Sequence, residues 1–130
     1  MTQMTPAKQP ELPESIADAE TLDGLLSEPP VWLVERMRTI EGDVVILGVA
    51  GKMGPTLARM AKRAADLADS DGRGGGRGSG TGRARRVIGV ARFSDASQEA
   101  ALAAHGIETV RADLLDEAAL AKLPLSLIHI

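Results

Sequence analysis

The sequence predicts an α/β chain: part of a doubly wound parallel sheet, strand order 3-2-1, preceded by a short helical segment. Three observations predict it. Val44-Val45-Ile46-Leu47 is an unbroken apolar run of strand length that ends in glycine. Val87-Ile88-Gly89-Val90-Ala91 is a second such run, and Ile107-Glu108-Thr109-Val110-Arg111-Ala112 is a third, weaker one. Helical patterns lie between them. Strands that alternate with helices need right-handed crossovers, and these make the strands parallel.

The chain is organised around Gly48-Val49-Ala50-Gly51-Lys52-Met53-Gly54, which joins the first strand to a helix starting near Pro55. The spacing G-x-x-G-x-x-G in that context is a variant of the dinucleotide fingerprint. Gly48 permits the sharp exit from the strand. Gly51 lets the backbone approach a pyrophosphate with no Cβ in the way, and Gly54 lets the helix pack closely on the strand. The helix start supplies N–H groups and the positive dipole end. A plain strand-to-helix turn is the competing reading. A P-loop is excluded, because Lys52 is followed by Met53 and Ile46 stands where its first glycine belongs.

Composition narrows the function classes. With 130 residues, the sequence fits at most one ordinary domain. A net charge of −3 is mild and argues neither for nor against a nucleic-acid partner. There is no cysteine, so neither a disulfide framework nor a thiolate metal site exists, and two distant histidines offer little to a metal. No apolar run approaches the ~20 residues that span a bilayer, and the N-terminus lacks a signal-peptide pattern. A cytoplasmic protein with no membrane partner is expected.

Residues 1–26 read as a flexible lead-in with Pro6, Pro10 and Pro13, the stretch Ser15 to Leu26 offering a short helix. Ser27-Glu28-Pro29-Pro30 reads as a helix start capped by Ser27. That leading helix, 27–42, carries Leu33, Met37 and Ile40 on one face, Trp32 as a packing anchor, and Gly42 as its end. Residues 43–124 then form the nucleotide-binding half-domain. After the glycine turn, Leu57, Met60, Ala61, Ala64 and Leu67 form an apolar stripe, with Lys62 and Arg63 on the solvated side.

Residues 69–86, DSDGRGGGRGSGTGRARR, have nothing to pack and read as a disordered insertion. The segment has the charge for RNA but no aromatic residue for base stacking, so a solvated linker is the expected role. Asp95 and Gln98 mark the start of the next helix and Gly106 its end, with His105 as a surface residue at that end. Asp116 caps a last short helix that Pro124 stops.

The Gly48–Gly54 turn, the second strand ending at Arg92, and Ala112-Asp113-Leu114-Leu115-Asp116 after the third strand resemble the N-terminal part of the extended short-chain dehydrogenases, the NAD-dependent epimerase/dehydratase family. The resemblance runs from about Glu28 to Pro124, outside the Arg/Gly insertion. It implies a partial Rossmann-like fold, a bound NAD or NADP, and an oxidoreductase, epimerase or dehydratase as the intact parent, with a small-molecule substrate there. It places cofactor contacts on Gly48, Ala50, Gly51, Lys52, Met53 and Gly54 of the turn, on Arg92, and on Asp113 and Leu114 beside the adenine. NAD enzymes usually carry an acid at the end of strand two. An arginine there favours the 2′-phosphate of NADP; Arg92 covering the adenine or facing solvent, with Asp95 serving NAD, is the alternative.

The family's Tyr-x-x-x-Lys acid–base pair has no counterpart, since the chain contains no tyrosine. No catalytic residue is assigned, and this chain alone is expected to be inactive. Leu125-Ser126-Leu127-Ile128-His129-Ile130 resembles the translation of a sequencing adapter, so 125–130 is read as an artefact. On that reading the first strand lies at an open sheet edge, the core is half uncovered, and the chain self-associates. A non-catalytic NAD(P)-binding regulatory module is the alternative to an enzyme fragment, and an RNA-associated protein is a third.

Overall fold

The computed structural model describes residues 11–70, 85–123 and 128–129. In chain order the elements are α1 (Ala19–Leu26), α2 (Val31–Thr39), β1 (Val44–Leu47), α3 (Gly54–Ser70), β2 (Val87–Ala91), α4 (Ala96–Ala104), β3 (Glu108–Arg111), α5 (Glu117–Ala121) and β4 (Ile128–His129). The strands form one parallel sheet in the order β3-β2-β1-β4. Val44 pairs with Val87 and Leu47 with Val90, while Ile88 pairs with Glu108 and Ala91 with Arg111. An α/β chain with a parallel sheet is therefore the architecture.

Side chains alternate across the strands and build two apolar clusters. Val44, Ile46, Val87 and Ala91 face Val34 and Met37 of α2, four alanines of α3 and Leu102 of α4. Val45, Ile88 and Val90 face the other way, and Leu47, Val110, Ala112, Leu114 and Leu123 pack on them. These three residues are at most 1% exposed, so the second face is covered, contrary to the half-open core expected. The 112–123 segment folds back over it. Nor is β1 an open edge along its length: Val44 pairs with Ile128 and Val45 with His129. The edge argument for self-association loses those two residues. Of the stretch expected to be an adapter artefact, 125–127 and 130 lie outside the described residues, as do 1–10 of the lead-in.

Several local expectations are corrected. Within the lead-in, α1 starts at Ala19 rather than Ser15, because the Asp18 carboxylate accepts from Thr21 N at 2.7 Å and fixes the first turn. Ser27 does not cap α2. It closes α1 instead, its N–H donating to Asp23 O at 3.0 Å, and Pro30 stands at the α2 N-cap with no side-chain bond. Had Ser27 been the cap, the two positions whose N–H it would bind are Pro29 and Pro30, which have none. Helix α2 ends at Thr39, and Gly42, at φ +95°, turns the chain into β1. Trp32 is 66% exposed and is not a packing anchor of α2, whose buried residues are Val34 and Met37.

On α3 the buried residues are Ala58, Ala64, Ala65 and Ala68, while Leu67 is 49% exposed. Alanines admit the helix closest to the sheet, and the larger Leu57 sits at the flank. Lys62 and Arg63 are not on a free solvated side. Lys62 pairs with Asp66 at 3.0 Å, and Arg63 donates to Gly24 O at 2.8 Å and Ser27 Oγ at 3.1 Å and pairs with Glu28.

The ends of the expected disordered segment 69–86 are also structured. Arg85 N–H and Nη2 donate to the two Asp69 carboxylate oxygens at 3.0 and 3.1 Å, and its Nη1 donates to Met37 O at 2.6 Å. Arg86 N–H donates to Asp43 Oδ1 at 2.9 Å, and its guanidinium holds Glu108, whose hydrogen bonds raise the Arg86 pKa further. The remainder, 71–84, lies outside the described residues.

Candidate functional site

At the end of β1 the chain leaves through Gly48, at φ +76°, a conformation that favours glycine. Gly48 N–H and Val49 N–H both donate to Val90 O, at 2.8 and 3.1 Å, so the turn is tied to the end of β2. Gly51 N–H then donates to Gly48 O at 3.1 Å and Gly54 N–H to Gly51 O at 3.2 Å. Two tight turns in succession thus deliver the chain into α3, a 17-residue helix whose positive end faces the turn.

The three glycines have separable reasons. Gly48 is required by its backbone angle, and a Cβ there would meet nothing within 4 Å. Gly54 is required by contact, since a Cβ would lie 2.0 Å from Val49 O. That contact is with the turn itself, one residue past Gly48, rather than with β1. At Gly51 the fold asks least: φ is not positive, the residue is exposed, and a Cβ would meet Gly48 O at 3.3 Å and nothing else within 4 Å. Ala50 is half-buried; Lys52 and Met53 project outward, Met53 at 78% exposure.

The register brings the other candidates to the same end of the sheet. Arg92 follows β2 and is exposed. Asp113 lies two residues past β3, and Ala112 N–H donates to Ala91 O at 3.0 Å, carrying the ladder one residue beyond β3. Asp113 is exposed, but one of its oxygens accepts from Leu115 N–H at 3.0 Å. Leu114 is half-buried in the second apolar cluster. Asp95, the alternative acid, is engaged: its Oδ1 accepts from Ser97 Oγ at 2.6 Å and Ser97 N–H at 2.9 Å. Those bonds cap α4 and hold the carboxyl below its ordinary value of 3.8. The expected partner of this cap, Gln98, gives only its backbone N–H, to Asp95 O at 3.2 Å.

Three residues that matter here are absent from the sequence-derived set. Val49 is fully buried beneath the turn. Gly89, inside β2, provides the space for it, and a glycine within a buried strand is itself a sign of close approach. Phe93, at φ +51°, has no sequence signal, because bulky residues seldom adopt that conformation. A separate groove of about 140 Å³ between α3 and α4, lined by Pro55, Arg59, Gln98 and Leu102, contains none of the turn glycines, nor Arg92 or Asp113.

Among the described residues, no three His, Cys, Asp or Glu side chains gather to hold a metal, and no helix is long and apolar enough to cross a membrane. The chain matches no protein-family model, no curated protein and no solved structure.

Proposed function

We propose that the chain binds a dinucleotide, NAD or NADP, with its pyrophosphate on the Gly48–Gly54 turn, as part of a Rossmann-like oxidoreductase, epimerase or dehydratase. One observation carries the reading. The turn lies at the carboxyl end of β1, the strand that follows α2, and is tied to the end of the parallel neighbour β2 through Val90 O. Open α/β sheets bind ligands outside the carboxyl ends of their strands. The residues also fit the group: Gly48 and Gly54 answer to the fold, whereas the bare Cα of Gly51 is exposed and little required by the fold, which suits close approach of a phosphate.

Lys52 and Arg92 add positive charge at this end, and Arg92 favours NADP through a guanidinium–phosphate contact. With Asp95 committed to Ser97, the alternative acid for an NAD ribose is engaged elsewhere. A bound nicotinamide would supply hydride chemistry; these residues would bind and orient it. The chain has no tyrosine, so it holds no Tyr-x-x-x-Lys proton relay. The second reading is a non-catalytic NAD(P)-responsive module, which would bind the same cofactor without turnover.

Calorimetric titration with NADP and NAD tests the proposal. Binding that weakens by about tenfold or more in Gly51→Ala, with the melting temperature nearly unchanged, is expected. Absence of binding to the wild type, or equal binding by Gly51→Ala, rejects it.

A further inference from the structure

We propose that Phe93 is the positioning residue for Arg92, and through it sets the preference for NADP over NAD. The inference rests on the dinucleotide reading above. Along β2 and just beyond it, Val87, Ala91 and Phe93 all enter the cluster between sheet and helices. Arg92, the alternating residue between the last two, is exposed.

Phe93 does not simply continue the strand. Its φ of +51° ends the extended run immediately after Arg92, in a region that a side chain with a Cβ and a ring rarely occupies. Such a conformation persists only where the surroundings over-determine it. Here they do. The ring is 4% exposed and shares its cluster with Leu102 and Ile107. On one side, Ala91 O is held by Ala112 N–H at 3.0 Å; on the other, Asp95 is fixed as the cap of α4.

Arg92 is therefore a long, exposed side chain on a backbone pinned before and after it. A planar guanidinium meets a phosphate best from a fixed direction, and a pinned Cα leaves less freedom to lose on binding. With the ring removed, nothing over-determines this angle and Arg92 no longer starts from one place. NADP then loses affinity, whereas NAD, which has no 2′-phosphate, does not.

The test is calorimetric titration of NADP and NAD against the full chain, with Arg92→Ala, Phe93→Gly and Phe93→Leu, each verified as folded by circular dichroism. Arg92→Ala is expected to lower NADP affinity by about tenfold or more, the lower end for a charge-assisted contact, and to leave NAD within about twofold. Phe93→Gly reproduces most of that selective loss, and Phe93→Leu, which restores an apolar anchor, recovers it. If Phe93→Gly does not fold, Phe93→Ala, which removes the ring and has no preference for positive φ, replaces it with the same expectation. A wild type that prefers NADP with an unchanged ratio in the ringless variant overturns this inference and leaves the cofactor reading standing. Equal loss of both cofactors marks Phe93 as merely structural and overturns it too. A wild type that binds neither overturns both.

Discussion

Val49 sits on the bare Cα of Gly89: a Cβ built at Gly89 would stand 2.8 Å from Val49 Cγ1 and 3.0 Å from Cγ2. This contact seats the glycine turn on β2, beside the two hydrogen bonds that Val90 O accepts from Gly48 and Val49. Because Val49 is fully buried, it has no open space into which to rotate. Gly89→Ala should therefore destabilise the fold by about 1–3 kcal/mol through overpacking. Combining it with Val49→Ala should recover part of that loss, since the colliding methyls are gone. Urea unfolding of the two single variants and the double variant measures the coupling. Strictly additive changes would show that the two residues do not meet.

The turn glycines should separate by stability. In Gly54→Ala the new Cβ meets Val49 O at 2.0 Å and Val49 C at 2.5 Å, and these are backbone atoms that cannot swing aside. A loss of about 2–4 kcal/mol is expected. In Gly51→Ala the nearest atom is Gly48 O at 3.3 Å, so the loss should stay within about 1 kcal/mol. Thermal melts of the two variants side by side provide the check. Equal losses would remove the distinction between a glycine kept for the fold and one kept for a ligand.

Much of this site follows from pattern alone, and what does not follow has physical causes. An apolar tetrad leading into spaced glycines has few foldings open to it, so β1, the turn and the start of α3 are readable. Once the strands are parallel, their register places Arg92 and Asp113 beside the turn without further information. The face of α3 is harder. Leucines carry more hydrophobicity, but alanines permit the closest approach, and Ala58, Ala64, Ala65 and Ala68 take the core. Ser27 misleads because a good capping residue is useless when the two donors it needs belong to prolines. The backbone angle of Phe93 is a product of tertiary packing, and no local propensity encodes it.

Arg63 should hold the first helix in place. Its guanidinium donates to Gly24 O at 2.8 Å and to Oγ of Ser27, a fully buried residue. Arg63→Met keeps the stem but leaves Gly24 O and the Ser27 hydroxyl without this donor, at a cost of about 1–3 kcal/mol. Glu28→Gln, which breaks only the outer, half-exposed ion pair, should cost no more than about 1 kcal/mol. Amide exchange reports the site of the damage: Arg63→Met should speed exchange in α1 while β1 and β2 stay protected. Uniform acceleration across the sheet would contradict a local clasp.

Asp95 sets a pH dependence whose sign is fixed. The Ser97 hydroxyl, and then the Ser97 N–H, donate to its carboxylate and favour the charged form in the folded chain. The folded pKa therefore lies below the ordinary 3.8. The contribution of Asp95 is fully present above that ordinary value and is lost as pH falls through the lower folded one. Asn caps a helix start as well as Asp does but does not titrate there. Asp95→Asn should thus match the wild type at about pH 6 and gain on it below about pH 4, where the wild-type cap protonates. Asp95→Ala should be the weaker protein at about pH 6, with its deficit shrinking as the wild-type cap protonates. Urea midpoints for the three proteins at both pH values measure this. A difference between wild type and Asp95→Asn that does not change with pH would mean that the carboxylate does not cap α4.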